Sequence, residues 1–222
     1  MRGDDAARRV AGRLPTRFLR GYAAGKLRSD PVYRAVAQRL HGYAQPLFDL
    51  GCGIGLLELY LRELGLVMPI LAVDHDAAKI KVAAEIAAPY EALEFRTADA
   101  RHPLPHGMNV VALDILHYFT DSEQAAIVES IAAAVPAGGI ALIRDAVRDG
   151  SLRYRLTAAQ ETFSRAIRWL KAERLNFPTR ERIVTPFRDR GFSEEVFPLW
   201  GRTPFNNYLF VFRRAVSGTT QA

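Results

Sequence analysis

The stretch Phe48–Gly55 reads FDLGCGIG and carries glycines at three alternate positions, Gly51, Gly53 and Gly55. The strand-like segment PLFDL, residues 46–50, leads into the glycines, and the helical pattern LLELYLREL, residues 56–64, follows them. A glycine-rich turn between a strand and a helix exposes backbone N–H groups beside the helix N-terminus, and the missing Cβ lets a ligand approach the backbone. The turn therefore predicts a site for a nucleotide-like ligand.

Strand-like and helix-like segments alternate on both sides of this turn. Further helices are predicted at 31–43, 77–88 and 125–135, and further strands at 69–74, 93–99, 109–116 and 140–145. Asp76 is expected to cap the helix that follows it, and Asp121–Gln124 has the spacing of a capping box. Near the end, 194–200 and 206–214 predict two strands joined closely enough for a hairpin. Continuously apolar strands separated by amphipathic helices indicate an α/β fold with a parallel sheet buried on both faces.

The composition is that of a soluble globular protein. The 222 residues are enough for one well-packed domain, and 49% are hydrophobic while 24% are charged. No apolar run approaches the roughly 18 residues of a membrane span, and the N-terminus lacks the pattern of a secretory signal. Cys52 is the single cysteine, which excludes an internal disulfide and suits a reducing compartment. We expect a cytoplasmic protein.

The net charge of +6 is concentrated in two segments. Residues 1–28 hold eight Arg or Lys against two Asp, and residues 148–190 hold eleven against five acidic residues. Such segments attract an acidic or phosphate-bearing partner, an anionic membrane surface or nucleic acid, but solvated helix faces have the same composition. The charge alone does not choose among these possibilities.

Two details distinguish among nucleotide-like ligands. The dinucleotide pattern G-x-G-x-x-G would place its third glycine at position 56, which is Leu56. Asp49 lies beside the loop, where a carboxylate would repel a pyrophosphate and favour a cationic ligand. Asp74, which ends the second strand, does not discriminate, because an acidic residue there can bind the ribose hydroxyls of either kind of ligand.

The run D-x-G-x-G-x-G from Asp49 to Gly55 resembles motif I of the class I S-adenosylmethionine-dependent methyltransferases. The resemblance implies a Rossmann-like three-layer sandwich whose seven-stranded sheet is mostly parallel with an antiparallel last strand. It also implies S-adenosyl-L-methionine as cofactor and S-adenosyl-L-homocysteine as product. In that family the glycine loop and a set of acidic positions in chain order hold the cofactor, and here these are Asp49, Gly51, Cys52, Gly53, Gly55, Asp74, His75, Asp99, Ala100 and Asp114. Cys52 is expected to be a small loop residue rather than a nucleophile.

The segment LDILHYF, residues 113–119, lies where this family presents residues to the substrate. It lacks the N/D-P-P-Y/F motif of enzymes that methylate amino groups, which leaves oxygen or carbon atoms of a small molecule as acceptors. His117 is the candidate general base, because its ordinary pKa is near neutrality, and Tyr118 is expected to orient a substrate hydroxyl. Arg144 and Asp145, at the end of the fifth strand, are secondary candidates. No bound metal is expected, since Ala146 stands where the catechol-type enzymes carry an Asn metal ligand.

The resemblance also suggests how the chain is organised. Residues 1–45 would form a helical segment that covers the cleft, residues 46–214 the methyltransferase domain with a helical lid insert at about 148–178, and residues 215–222 a flexible tail. Tyr22, Lys26, Arg28 and Tyr33 would close over the cofactor, while Phe163 and Trp169 would line an apolar acceptor pocket, unless these side chains serve only for packing.

Two end segments, RFLRGYAAGKLRSDPVY (17–33) and TPFNNYLFVFRR (203–214), resemble bacterial methyltransferases of aryl polyene pigment pathways. This implies secondary metabolism and an aromatic or polyenoyl acceptor, free or tethered to an acidic acyl carrier protein that would meet the basic segments. Alternatives remain open at this point: an RNA or protein methyltransferase, a non-catalytic cofactor-binding subunit, or a nicotinamide-dependent oxidoreductase.

Overall fold

A computed structural model describes residues 3–151, 153–154, 175–201 and 206–216. Within these ranges the helices are α1 Gly3–Arg13, α2 Arg17–Ser29, α3 Val32–Leu40, α4 Leu56–Glu63, α5 Ala77–Ala87, α6 Asp121–Ala134 and α7 Arg180–Arg188. The strands are β1 Leu47–Leu50, β2 Ile70–Asp74, β3 Leu93–Thr97, β4 Asn109–Leu113, β5 Ile140–Ala146, β6 Ser193–Pro198 and β7 Asn207–Arg213, and a short 3₁₀ turn spans Leu116–Tyr118.

The strands form one seven-stranded sheet in the order β3-β2-β1-β4-β5-β7-β6. All pairs from β3 to β5 are parallel, whereas β7 runs antiparallel to both β5 and β6. This confirms the predicted Rossmann-like sheet and the predicted pairing of the last two strands. The strand order reverses between β1 and β4, and ligands of open α/β sheets bind at the carboxyl ends of strands at such a point.

Both faces of the sheet are buried, because successive strand residues point to opposite faces. Leu142 of β5 and Val211 of β7 pack into the cluster that contains the apolar residues of α1 to α4, while Ile143 and Phe210 pack into the cluster that contains α6 and α7. All four side chains are fully buried. The continuously apolar strands of the sequence therefore correspond to a sheet covered by helices on both sides.

The predicted helix starts were right in one case and displaced in another. Asp76 caps α5, since its carboxylate accepts hydrogen bonds from the backbone N–H groups of Ala78 and Lys79. The capping box of α6 begins one residue earlier than predicted, at Thr120, whose hydroxyl and backbone N–H pair with Glu123. A threonine followed three residues later by glutamate is the stronger form of this signal, and Thr120 directly precedes the predicted capping box Asp121–Gln124.

The predicted insert at 148–178 falls mostly outside the described residues. Of that range the structure describes 148–151, 153–154 and 175–178, and Phe163 and Trp169 lie outside the described residues. The predicted tail, 215–222, is described only as far as residue 216. Among the described residues, no helix combines the length and the apolar character needed to cross a membrane.

Helix α1 is fastened to α4 by a group of charged and polar side chains around Glu63. The Glu63 carboxylate, 8% exposed, accepts hydrogen bonds from Arg9 at 2.5 Å, from Arg13 at 3.1 Å and from the hydroxyl of Tyr90. Burial, followed by the hydrogen bond to Glu63, raises the pKa of Tyr90 to about 12, so its hydroxyl stays a donor at neutral pH. The first helix is thereby held on the same side of the sheet as the glycine loop.

Replacing Glu63 by alanine should lower the free energy of unfolding by about 1–3 kcal/mol, since it leaves partly buried arginines without their partner. Glu181→Ala is the matched control, because Glu181 is 74% exposed and 3.9 Å from Arg188. Urea denaturation should show a change below about 0.5 kcal/mol for the control. Equal losses in both variants would contradict a stabilising role for the Glu63 contacts.

Candidate active site

Two adjoining cavities open at the carboxyl edge of the sheet, next to the strand-order reversal. The larger has a volume of about 690 Å³ and the smaller about 230 Å³, and they share Gly51, Gly53, Leu113 and Asp114 in their walls. The glycine loop separates the two compartments. An elongated ligand with two chemically different ends fits this arrangement.

The loop after β1 folds tightly because two of its N–H groups share one acceptor. Gly51 and Cys52 both donate to the carbonyl of Val73, at 2.8 Å and 3.0 Å. Gly51 adopts φ +88°, and a Cβ built on it would lie 2.2 Å from Cγ2 of Ile115. Only glycine satisfies both the left-handed backbone and this close approach.

Gly51→Ala should therefore cost about 2–4 kcal/mol of unfolding free energy, from backbone strain and from the clash with Ile115 together. Gly42→Ala is the control, because Gly42 also has a positive φ, +92°, but nothing lies within 4 Å of its added Cβ. Its expected cost is about 1–2 kcal/mol, measured in the same urea titration. An equal loss at both positions would show that the contact with Ile115 contributes nothing.

Asp74 joins the glycine loop to the end of β2. One carboxylate oxygen accepts the backbone N–H of Gly53 at 2.9 Å, and the other accepts that of Asp76 at 2.9 Å. His75 lies beside it, with Nδ1 3.3 Å from the carboxylate. Asp74 and His75 both line the larger cavity, and each oxygen of Asp74 has a second lone pair for the hydroxyls of a ribose.

Asp99 and Ala100 also lie in the wall of the larger cavity. The Asp99 carboxylate receives the backbone N–H and the guanidinium of Arg101, and these hydrogen bonds hold its pKa below the ordinary value. Arg101 is 57% exposed and also contacts Glu123, so its side chain can move without breaking the core. The wall thus combines an ionised carboxylate with a backbone N–H, the pair of groups that an adenine edge can meet.

Asp49 lines the smaller cavity and faces a second buried acid, Glu58 of α4. Their exposures are 2% and 0%, and neither oxygen of Glu58 has a hydrogen-bond partner among the residues that the structure describes. Burial, opposed by Glu58, raises the pKa of Asp49 to about 6, and burial followed by Asp49 raises the pKa of Glu58 well above its ordinary value. Two carboxyl groups so close inside the protein disfavour a double negative charge.

This pair should make the folded protein less stable as the pH rises. Both acids have a raised pKa in the folded state, so each contributes stability that is fully present below its unfolded pKa near 4 and is lost as the pH rises through its folded pKa, which is about 6 for Asp49. Glu58→Gln should flatten this fall and raise the unfolding free energy at pH 8 by about 1–3 kcal/mol, because the amide cannot ionise and can donate to Asp49.

The measurement is urea denaturation of both proteins between pH 4 and pH 8. Glu85→Gln, an exposed position on α5, serves as the control and should leave the pH dependence unchanged. A Glu58→Gln profile parallel to that of the original protein would contradict an energetic role for the pair.

Asp114 is held at the boundary of the two cavities by a buried arginine. It adopts φ +58°, and its carboxylate accepts Nε of Arg144 at 2.8 Å and a second contact from Nη2. Nη1 of Arg144 binds both oxygens of Asp30, at 2.9 Å and 3.1 Å, and Nζ of Lys26 lies 3.1 Å from Asp30. Although burial raises it, the charge of Arg144 brings the pKa of Asp114 below its ordinary value.

His117 forms a hydrogen-bonded pair with Asp145 of β5. Nδ1 of His117 lies 2.7 Å from Oδ1 of Asp145, which is fully buried, and Oδ2 accepts the backbone N–H of Leu116 at 2.9 Å. The imidazole contacts the rings of Tyr118 and Phe177, with centroids 4.2 Å and 5.6 Å away. The carboxylate therefore fixes the orientation of the imidazole within an aromatic surrounding.

Most of the predicted site residues lie in the cavity walls. Tyr118, 47% exposed, lines the larger cavity, and Cys52 lines the smaller one. Burial and the neighbouring Glu58 keep the pKa of the Cys52 thiol above its ordinary value, so it remains protonated, as expected for a residue without a nucleophilic role. Gly55 and His117 line neither cavity: an added Cβ on Gly55 would press against Phe95, and His117, in the middle of the 3₁₀ turn, has its ring paired with Asp145.

Two residues of the site were missed in the sequence. Glu58 stands among leucines on the apolar helix α4, and an acid on an apolar stripe is the signal that could have marked it. Asp30 was interpreted only as the start of a helix, and nothing local reveals its partner Arg144. Among the described residues, no group of three or more His, Cys, Asp or Glu is arranged to hold a metal ion.

The part of the chain that carries most of the cavity walls is similar in sequence to a known protein family. Residues 47–139 match a sequence profile of the family described as "methyltransferase domain". No protein of curated function matches the sequence. The matched region contains the glycine loop, Asp74, Asp99 and the 3₁₀ turn.

Solved structures similar to this chain include magnesium protoporphyrin IX methyltransferase from Synechocystis PCC 6803 with bound S-adenosylhomocysteine, at 18% identity and a TM-score of 0.66. The match covers 96% of this chain and 94% of that one. An O-methyltransferase family protein from Burkholderia thailandensis is 18% identical with a TM-score of 0.68, covering 92% and 62% of the two chains. Human N-acetylserotonin methyltransferase with bound S-adenosylmethionine is 18% identical with a TM-score of 0.64, covering 93% and 57%. The chain spans about three fifths of the length of the latter two, and these likenesses establish the fold.

Proposed function

With residues 47–139 matching a methyltransferase domain, we propose that this protein transfers the methyl group of S-adenosylmethionine to an oxygen or carbon atom of an apolar or aromatic small molecule. The observation that carries the proposal is the His117–Asp145 pair beside the two cavities. It would supply the base that a hydroxyl acceptor needs, next to a cleft with room for the cofactor. We place this activity in the cytoplasm, in bacterial secondary metabolism.

S-adenosylmethionine is the cofactor, and the residues present fit its parts. Asp74 offers carboxylate oxygens to the ribose hydroxyls, and Asp99 with the N–H of Ala100 offers an acceptor and a donor to the adenine. Asp49 presents a carboxyl to the cationic end, within the smaller cavity. Helices α1 to α3, with Tyr22, Arg28 and Tyr33, cover the methionine side in this proposal.

His117 acts as general base. In this proposal Nδ1 of the neutral imidazole donates to Asp145, so that Nε2 is the unprotonated ring nitrogen, as in the histidine of hydrolytic triads. Bound S-adenosylmethionine supplies an electrophilic methyl group. The chain contributes alignment of the acceptor, removal of its proton at Nε2 and exclusion of water. Tyr118, in the wall of the larger cavity, orients the acceptor hydroxyl.

The surroundings of His117 favour a flat apolar acceptor. Its ring contacts Tyr118 and Phe177, and Tyr154 meets Phe177 edge-on with centroids 5.9 Å apart. Such a cluster suits aromatic or conjugated compounds through ring packing. Two of the structures named above are methyltransferases of magnesium protoporphyrin IX and of N-acetylserotonin, which are both aromatic compounds.

An acidic acyl carrier protein is the proposed macromolecular partner. Helix α2 exposes Phe18 at 70% and Tyr22 at 49%, with Arg17, Arg20 and Arg28 exposed on the same helix. A charged rim around aromatic side chains suits a weak and salt-sensitive protein contact. Methylation of a carrier-linked acyl chain should then slow as the salt concentration rises, while methylation of the free acceptor should not.

The activity test supplies S-adenosylmethionine with a labelled methyl group and a panel of phenolic and polyenoyl acceptors, free and carrier-linked. His117→Ala should lower kcat by about 10²–10⁴-fold with unchanged affinity for S-adenosylhomocysteine. Asp145→Asn should show a smaller loss and a shifted pH–rate profile, because it no longer stabilises a protonated imidazole. The matched control is His102→Ala, an exposed histidine outside both cavities, which should retain full activity.

Full activity in His117→Ala would contradict the base role while leaving methyl transfer intact. Cofactor binding without transfer to any acceptor in the panel would favour the non-catalytic alternative.

A further inference from the structure

The smaller cavity has walls of opposite charge. The glycine-loop wall presents the carboxyl of Asp49, whereas the wall formed by α2 and α3 presents Lys26 and the hydroxyl-bearing Tyr33. We infer that Lys26 binds the α-carboxylate of the cofactor's methionine end, so that the N-terminal segment itself completes the cofactor site. The inference rests on the proposed function and extends it to a residue outside the matched methyltransferase domain.

Among the residues that line the smaller cavity, Lys26 and Arg144 are the two cations. Arg144 is 3% exposed, and its three nitrogens are engaged by Asp114 and Asp30. Lys26 is 34% exposed, and its Nζ lies 3.1 Å from Oδ2 of Asp30. An ammonium group has three N–H donors, which leaves Lys26 with capacity for a carboxylate in the cavity.

Lys26 is held in position by the junction between α2 and α3. The backbone N–H of Asp30 donates to the carbonyl of Lys26 at 3.0 Å, and the Asp30 carboxylate accepts the backbone N–H of Val32 at 3.1 Å. Arg144 of β5 then clamps that carboxylate with two contacts. The end of α2 is thus tied to the central sheet, and little conformational freedom is lost when a ligand binds there.

Tyr33 adds a neutral donor to the same wall. It is 7% exposed, and burial followed by the charge of Asp30 keeps its pKa well above the ordinary value, so the hydroxyl retains its proton. Its ring packs edge-on against Tyr60 of α4 with centroids 6.2 Å apart. An α-amino acid, with an ammonium and a carboxylate on one carbon, matches a cavity with an acid on one wall and donors on the other.

The test compares S-adenosylmethionine with decarboxylated S-adenosylmethionine, which keeps the amine and the sulfonium but lacks the carboxylate. Affinities are measured by calorimetric titration of the full chain and of three variants. Lys26→Gln should bind S-adenosylmethionine roughly 10- to 100-fold more weakly, the range expected for one charge-assisted contact, with unchanged affinity for the decarboxylated compound. Lys26→Arg should restore most of the difference. Lys81→Gln, exposed on α5 and outside both cavities, should change neither affinity.

The other outcomes distinguish a failure of the role of Lys26 from a failure of the proposed function. Equal weakening of both compounds in Lys26→Gln, or no weakening, would overturn the role of Lys26 while the cofactor assignment stands. Equal affinity of the original protein for both compounds would also overturn the role of Lys26, because the carboxylate would then contribute nothing to binding. Binding of neither compound by the original protein would overturn the proposed function itself.

Discussion

The arrangement of the site depends on the carboxylate of Asp74, which accepts the N–H of Gly53 from the loop after β1 and that of Asp76 at the start of α5. This side chain ties together two βα connections that are separate in sequence. The shared acceptor Val73, which receives Gly51 and Cys52, fixes the same loop from the backbone side. Because these contacts lie within the chain itself, the loop has its shape before a ligand binds. The Asp74 carboxylate lies in the wall of the larger cavity and keeps lone pairs for a ligand there.

Buried charges elsewhere in the site are matched, with one exception. Arg144 is neutralised by Asp30 and Asp114, which lets a guanidinium stand at 3% exposure between the N-terminal helices and the sheet. Asp49 and Glu58 instead face each other as two buried acids, and the pKa of each is raised. A pair that costs stability is retained where a cationic ligand would be bound, in keeping with the general trade between stability and function at binding sites.

The sequence predicted those parts of the structure that depend on local patterns of residues. Apolar strands and amphipathic helices predicted the layered sheet, and the spacing of Asp49, Gly51, Gly53 and Gly55 predicted a loop that the structure places between two cavities. The predicted N-cap of α6 was wrong by one residue, because neighbouring polar residues give nearly equal capping signals.

The unpredicted part of the site consists of contacts between distant residues. Arg144 and Asp30 are 114 positions apart, and His117 and Asp145, although both were named as candidates, could not be paired before the topology placed β4 beside β5. Glu58 was missed because it stands among leucines whose helical pattern predicts only an apolar packing face; in the structure it is fully buried there. Such pairings arise from packing, and no local spacing in the chain reports them.

The most direct test of the central claim, that the two cavities hold S-adenosylmethionine rather than a dinucleotide, is a parallel calorimetric titration with S-adenosylmethionine, S-adenosylhomocysteine and NAD. Micromolar binding of the two sulfur compounds alone, lost in Asp74→Ala, is the expected result. Binding of NAD, or of none of the three, would contradict the assignment and leave only the fold.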